Sequence, residues 1–589
     1  MNILDKKFFG FIGFKKIPKA PWNKFYQKKH MNINVLNESI YQYLKRHIIN
    51  FKNNIAIEYY GTTITYHEFL EKIDICSKAF QKEGVRRGDV VSIISANIPE
   101  ALISFYALNK IGAVVNFLHP MLSINEIKDI LNAYSVPYVV AMDIVLTKLN
   151  KILDDVHVNR VIVISAKDFM PIPIKIAYEI TQGRKIKRPH HPIYISWKDF
   201  ILAGKNSASE ENSINVKKDT PAIIMQSGGS TGTPKGIVLS NGNINAASIQ
   251  AKIALPDLNY EDIILGIMPI FHGFGFQVSI NDAFNIGAKV VLIPQFKASH
   301  FDQLIKKYKP SVLVGVPTLF MALTNNEGMK NVHLEQLKYV IAGGDSFSKE
   351  KVKKINQFLH QHGAKTNFTQ GYGMTEAVAA ISFDLKYATR EGTVGIPWPG
   401  TYVKIVKPGT EEELHYGLDG EICITGPTVM LGYYDNIKET NDALRIHSDG
   451  NLWLHSGDLG SMDQDGFISF KGRIKRMIVT SGYNVYPSQV EEVIERHPAV
   501  MDASVIGIPH PYKMEVVKAF IALKKGHKET PFLREDLLQL CKNNLANYAI
   551  PKEFEFRQSL PKTIVGKVDF RKLQMENRKI RRDEYEKNK

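Results

Sequence analysis

From about Ser39 onward the chain alternates short apolar runs with helix-length segments, and this rhythm limits the fold more than any other feature. Residues 55–60, 90–95 and 114–117 read as strands, with helices at 65–83 and 99–111 between them. This alternation of strand and helix predicts an α/β layer with a mostly parallel sheet. Residues 264–267, 290–293, 312–316 and 339–342 repeat the pattern and predict a second α/β unit. At 589 residues the chain is too long for one core, because single cores stop growing at about 250–300 residues.

Residues 225–240, Met-Gln-Ser-Gly-Gly-Ser-Thr-Gly-Thr-Pro-Lys-Gly-Ile-Val-Leu-Ser, connect two further apolar runs through a sharp turn. Gly228, Gly229, Gly232 and Gly236 permit positive φ and close approach of main-chain N–H groups to an anion. Ser227, Ser230, Thr231 and Thr233 add hydroxyls, and Lys235 adds charge. This is the chemistry a polyphosphate requires. A flexible Gly/Ser/Thr surface loop shares the composition, but not the ordered Thr-Gly-Thr-Pro-Lys-Gly. A Walker loop needs Gly-Lys followed by Ser or Thr at a helix start, whereas Lys235 follows Pro234 and precedes Gly236 and a strand-like run.

Further motifs follow in order: Ile341-Ala342-Gly343-Gly344-Asp345, then Gln370-Gly371-Tyr372-Gly373-Met374-Thr375-Glu376, then Trp453-Leu454-His455-Ser456-Gly457-Asp458, Gly472-Arg473-Ile474-Lys475-Arg476, and Gly566-Lys567 near the end. By themselves Thr375 and Glu376 could merely start a helix, and Asp458 could cap its own turn. As an ordered set they resemble the signature of the adenylate-forming superfamily of acyl-CoA synthetases, adenylation domains and beetle luciferases. The resemblance runs from about Ser39 to Arg571.

The resemblance implies an α/β fold: a large N-terminal domain of two α/β layered subdomains plus a small β-barrel, to which 420–426 and 431–434 would belong, then a small mobile α+β C-terminal domain. The expected divisions are a basic, aromatic arm at 1–38, an AMP-binding adenylation domain at 39–474, the mobile domain at 475–574 with its hinge at Lys475, and a frayed charged tail at 575–589. It also implies roles. Residues 227–233 with Lys235 would hold the ATP phosphates, Gly343 and Gly344 the adenine, and Gln370, Gly371 and Gly373 the nucleotide beside them. Tyr372 would stack on adenine, Thr375 would donate to the α-phosphate, and Glu376 would hold Mg²⁺. Asp458 would accept both ribose hydroxyls, Arg473 would touch ribose or phosphate, and Lys567 would be the catalytic lysine. Gly482 and Tyr483 would face a thioester site once the small domain has rotated. At Arg476 the family commonly has aspartate, so contacts made by that aspartate are not expected here.

Phe271-His272-Gly273-Phe274-Gly275-Phe276 leaves a predicted strand end, where α/β sheets place ligands. In the resembled family this segment opens the acyl pocket, and amino-acid-activating members usually carry aspartate at the position of His272. Histidine there argues for an uncharged acyl chain walled by Phe271, Phe274 and Phe276. The implied activity is ATP-dependent activation of a medium- or long-chain fatty acid through an acyl-adenylate, with transfer to CoA. An aryl-acid–CoA ligase and an acyl-carrier-protein ligase are the alternatives on the same fold. A non-catalytic acyl-nucleotide or lipid-surface binding protein is the reading from another class, and the presence of Lys567 and Glu376 argues against it.

Lys plus Arg exceed Asp plus Glu by 75 to 59, but the excess is spread along the chain and no nucleic-acid motif accompanies it. Cys76, Cys423 and Cys541 lie far apart with no CxxC, so neither a disulfide framework nor a zinc site is expected, and a cytoplasmic setting fits. Phe8, Phe9, Phe11, Phe14, Trp22 and Phe25 stand among lysines in the first thirty residues. They read either as a peripheral membrane contact, too short to span a bilayer, or as an arm packed on the body. Residues 165–200 form an amphipathic excursion, with Ile172, Ile174, Ile176 and Ile180 ahead of Arg184, Lys185, Lys187 and Arg188. It suits a membrane-facing or substrate-access role, and His190 and His191 within it suit a solvated loop better than a metal site.

Overall fold

The computed structural model describes residues 3, 10–11, 13–31, 33–207, 216–227, 235–344, 349–480, 483–510, 513–563 and 567–587, with backbone only at 227 and 580–587. Among these residues the strands form four sheets. Val90–Ile94, Val114–Leu118, Tyr138–Met142, Arg160–Ile164 and Pro221–Ser227 belong to a parallel block in the first. Lys235–Ser240 closes that block antiparallel to Pro221–Ser227. The second sheet carries Ile263–Gly266, Lys289–Leu292, Val312–Gly315, Tyr339–Ala342 and Phe368–Tyr372 in parallel. Val90–Ile94, Val114–Leu118 and Tyr138–Met142 are buried at every position, as strands covered on both faces must be.

The helix starts are written locally. Ser39 with Gln42, Thr65 with Glu68, and Ser123 with Glu126 form reciprocal capping boxes, and Pro99 stands at the first helical position of Pro99–Lys110.

Three placements differ from expectation. Ile55–Tyr59 joins the second sheet rather than the first, pairing in parallel with Lys289–Leu292. Gly432–Tyr433 leaves the small barrel and extends the first sheet antiparallel to Lys235–Ser240. The tail expected to fray from 575 is helical over Phe570–Lys587, because Leu573 is buried and Asn577 accepts a hydrogen bond from Lys518 Nζ at 3.0 Å.

Tyr402–Val406, Gly420–Thr425, Leu444–Ile446, Leu452–Met462 and Ile468–Arg473 make the small antiparallel sheet. The N-terminal arm is packed on it: Phe14 meets Tyr402 edge-on at 4.7 Å, Phe25 meets Phe467 at 5.6 Å, and Trp22 is 1% exposed. Backbone anchors match, with Lys15 N–H donating to Asn451 Oδ1 at 2.9 Å and Asn451 Nδ2 donating to the Lys16 carbonyl at 2.7 Å. One apolar core runs from this arm to Ile468, and residues from Ile478 onward form two separate clusters. Among the described residues no helix is long and apolar enough to cross a membrane. Ile172, Ile174, Ile176 and Ile180 on Ile172–Thr181 are exposed.

Candidate active site

The expected phosphate loop is flanked as its sequence implies. Ser227 and Lys235 are register partners at the mouth of an antiparallel strand pair. Gly228, Gly229, Ser230, Thr231, Gly232 and Thr233 lie outside the described residues, as do Asp345 and Gly482. The Lys235 ammonium pairs with Glu439 and sits 5.1 Å from the centre of the Tyr433 ring.

Phe368–Tyr372 ends at a turn that only glycine can make, since a Cβ on Gly373 would fall 1.4 Å from the Ala379 carbonyl oxygen. The chain then passes through Thr375 and Glu376 into two left-handed residues, Val378 at φ 51° and Ala379 at φ 70°. For a β-branched residue this conformation costs roughly 1–3 kcal/mol, and it holds Thr375 and Glu376 at the strand end. Glu376 is fixed from both sides: its carbonyl accepts the Met430 N–H at 2.8 Å, and its Oε1 accepts the Tyr433 hydroxyl at 3.0 Å. The unexpected pairing of Gly432–Tyr433 with the first sheet is what brings that hydroxyl in.

Asp458 lies within the strand Leu452–Met462, not on a tight turn, and a register shift against Gly420–Thr425 accompanies Gly457 at φ 69°. Its side chain is 1% exposed, with Oδ1 at 2.8 Å from Arg473 Nε and Oδ2 accepting the Tyr372 hydroxyl at 2.7 Å. Burial pushes the Asp458 carboxyl up to about 6 against the pull of Arg473 and Tyr372. Tyr372 is therefore tied to the carboxylate by its hydroxyl, while its ring lies 5.7 Å from that of Phe470.

The last lysine reaches the same place. A Cβ on Gly344, at φ 89°, would stand 3.6 Å from Lys567 Cε. Thr563 N–H donates to the Lys567 carbonyl at 2.7 Å, and Lys567 N–H donates to Thr563 Oγ1 at 3.2 Å, so the backbone of Lys567 is fixed against Thr563. Arg476 answers the doubt raised by its departure from the family pattern: it pairs with Glu491 and lies 4.6 Å from the Phe570 ring, tying the linker to the small domain. Tyr483 does not reach the cavity; it is 57% exposed and stacked on Tyr548 at 4.6 Å.

One cavity of about 3380 Å³ is lined by Lys235, Gly343, Gly344, Gln370, Gly371, Tyr372, Gly373, Thr375, Glu376, Asp458, Arg473, Lys475 and Lys567, and by Phe271, His272 and Phe274. Phe276 is the exception. It is fully buried against Phe105 at 4.7 Å and Phe117 at 5.5 Å, so it serves the core rather than the pocket wall. Burial, helped by the nearby Lys567 charge, pushes the His272 imidazole down to about 4, which leaves it neutral at ordinary pH.

Sequence reading missed three contributors. Tyr433 and Glu439 act on Glu376 and Lys235 from elements far along the chain. A buried polar chain also backs Asp458: Gly457 N–H donates to Glu421 Oε1 at 3.0 Å, Glu421 Oε2 lies 2.9 Å from His455 Nδ1, and His455 Nε2 lies 2.9 Å from His447 Nε2. Cys423 Sγ is 3.6 Å from His455 Nδ1. Glu421 and Cys423 are two apart on one strand, and so share a face; that was the available signal.

Residues 44–434 match the AMP-binding enzyme family, and 489–567 match the AMP-binding enzyme C-terminal domain. A long-chain-fatty-acid–CoA ligase of Bacillus subtilis is 31% identical over 543 residues, 91% of this chain and 94% of that one. A probable 4-coumarate–CoA ligase of Dictyostelium discoideum is 29% identical, covering 94% and 98%. The fold also matches a solved anthranilate CoA ligase in complex with anthranoyl-AMP, at TM-score 0.80 and 22% identity, covering 93% and 98%. The ATP-bound MatB of Rhodopseudomonas palustris gives TM-score 0.79 at 23% identity, covering 92% and 100%. With its motifs in order, its two family segments in sequence and the cleft between them built, the chain belongs to the AMP-binding enzyme family, the adenylate-forming superfamily of acyl-CoA synthetases.

Proposed function

We propose that the protein is an ATP-dependent acyl-CoA synthetase that activates a medium- or long-chain fatty acid as its adenylate and passes the acyl group to CoA. The observation that carries this reading is a neutral His272 between phenylalanines on the same cavity as Lys567, Thr375 and Asp458. An apolar acid fits that mouth better than an amino acid, whose ammonium would need a carboxylate there.

A carboxylate is a poor electrophile, since its oxygen leaves badly and its charge repels nucleophiles. Attack of the acid on the α-phosphorus of ATP expels pyrophosphate and gives a mixed anhydride. Lys567 and Thr375 would offset charge on the phosphate and carboxylate oxygens, and Asp458 would accept the ribose hydroxyls. Glu376 would hold Mg²⁺ through the carboxylate oxygen that Tyr433 leaves free. That ion would neutralise phosphate charge. The second step requires Lys567 to withdraw. We assign the pivot to Lys475, because the apolar core changes identity between Ile468 and Ile478, and the rotation would bring Gly482 and Tyr483 to the CoA thiol.

We further place lipid contact on Ile172–Thr181, where exposed Ile172, Ile176 and Ile180 share a face and Arg184, Lys185 and Lys187 follow. Phe14, Trp22 and Phe25 of the arm are engaged with the small sheet instead.

The test is CoA-dependent AMP release from ATP and Mg²⁺ over a ladder of straight-chain acids and a few aryl acids, with Lys567→Ala beside it. Turnover on medium or long chains that falls by about 10²-fold or more in the variant is expected. Preference for aryl acids would overturn the substrate class, and adenylate that CoA never discharges would point to a carrier-protein acceptor.

A further inference from the structure

The helix that leaves His272 is π-helical over Phe274–Asn281 and continues as Asp282–Asn285. Its first turn abuts the reaction centre, where a Cβ on Gly273 would lie 3.8 Å from Thr375 Cγ2. Phe274, Val278, Asp282 and Ile286, spaced by four, line the cavity as one stripe. With a π-helix turn slightly longer than an α-helix turn, such a spacing keeps one face. Three of the four are apolar and the third is a carboxylate.

Asp282 is held on one side only. Its Oδ1 accepts from Ser248 Oγ at 2.8 Å and from Gln277 Nε2 at 2.6 Å. Ser248 is in turn bonded by Asn281 Nδ2 at 3.1 Å and by Asn285 Nδ2 at 3.0 Å, so the carboxylate cannot swing away without breaking a network. Among the described residues both hydrogen bonds to the carboxylate fall on Oδ1 and none on Oδ2, and Asp282, half-buried, lines the cavity. Desolvation by the surrounding protein pushes this carboxyl up to about 7, opposed by the Ser248 and Gln277 hydrogen bonds. An oxygen without a protein partner on a cavity wall has lone pairs left for a donor carried by the ligand that fills the cavity.

We propose that Asp282 is the recognition group at the far end of the acyl site, and that the preferred acid carries a hydroxyl at or near its ω-carbon to donate to Asp282 Oδ2. This rests on the acyl-CoA synthetase reading above and narrows its substrate class. Eight residues separate Phe274 from Asp282, which at about 1.5 Å of rise each is at most ~12 Å. A zigzag chain of ~1.5 Å carbon–carbon bonds fills that length with about ten carbons.

The experiment compares decanoic with 10-hydroxydecanoic acid in two assays: CoA-dependent AMP release, and calorimetric binding of the two matching acyl-sulfamoyl adenosines, which needs no turnover. The hydroxylated member should be favoured by about 10- to 100-fold in both, as a hydrogen bond to a charged or strongly polar acceptor is. Asp282→Leu should reverse the order. Ser248→Ala, a milder change that leaves the helix intact, should shrink the preference. An equal or better result for decanoyl ligands in the wild type, with Asp282→Leu leaving the ratio unchanged, overturns the proposal. Binding selectivity without any AMP release would leave Asp282 recognition standing and overturn the catalytic reading instead.

Discussion

Replacing Tyr372 by Phe removes one atom from the site and makes a sharp test of the role proposed for Asp458, acceptance of both ribose hydroxyls. A carboxylate offers about four lone-pair positions. Arg473 approaches Oδ1 and the Tyr372 hydroxyl occupies one position on Oδ2, which leaves one position on each oxygen for two ribose hydroxyls. On this count Tyr372 orients the acceptor and does not compete for it. A hydrogen bond to a buried charged group contributes about 1.5–3 kcal/mol, so its loss should raise KM for ATP by roughly 10- to 150-fold. The pH dependence gives a second reading. Asp458 must be ionised to accept both hydroxyls, and its carboxyl is pushed up to about 6, so ATP binding should weaken as pH falls through that value. Tyr372 is one of the groups holding the carboxyl down, and without it the inflection should move toward neutral pH. Because the folded-state value lies above the ~3.9 of an ordinary aspartate, ionising Asp458 destabilises the nucleotide-free protein as pH rises between the two. ATP-induced thermal stabilisation should therefore grow over the same window. The assay is pyrophosphate exchange at varied ATP from pH 5 to 8, with the thermal shift beside it. If Tyr372→Phe binds ATP as well as the wild type, or better, and its inflection stays in place, the hydroxyl competes with ribose and the argument fails.

Two other outcomes are expected. His272→Asp should raise KM for the fatty acid about tenfold or more through repulsion of the incoming carboxylate, while His272→Gln should leave the shape of the adenylation pH profile between 5 and 8 unchanged, because the imidazole is already neutral there. Cosedimentation with phosphatidylserine-containing vesicles should exceed that with neutral vesicles, weaken with salt, and be lost in Ile176→Glu/Ile180→Glu; binding that survives the double change would remove the lipid contact from Ile172–Thr181.

What could be read from the sequence is what is local. The parallel strands announced themselves as short, mostly apolar runs alternating with helices, and the motif around Tyr372, Thr375 and Glu376 is contiguous, so its arrival at a strand end needed no long-range knowledge. What escaped reading depends on partners distant in the chain. Ile55–Tyr59 lies one strand in from an edge and Gly432–Tyr433 lies at one; the sheet each joins is set by pairing with residues near 290 and 238, which nothing in either segment announces. Phe276 was misplaced because alternate residues on a helix point apart: Phe274 faces the cavity, and Phe276 turns toward Phe105. The tail after Phe570 has little apolar periodicity, and its order comes from Leu573 and from Lys518 on a strand some fifty residues earlier.

The docking of the N-terminal arm also bears on how the chain is made. Lys15 contacts Asn451, 436 positions later, and Lys24 pairs with Asp465, 441 positions later. At about 5–20 residues per second a ribosome needs roughly 20–90 s to produce that separation. For this interval Phe14, Trp22 and Phe25 exist without the surface that will cover them. The arm is thus made long before the surface that holds it, and a nascent chain stalled before the small sheet is finished carries an uncovered aromatic segment.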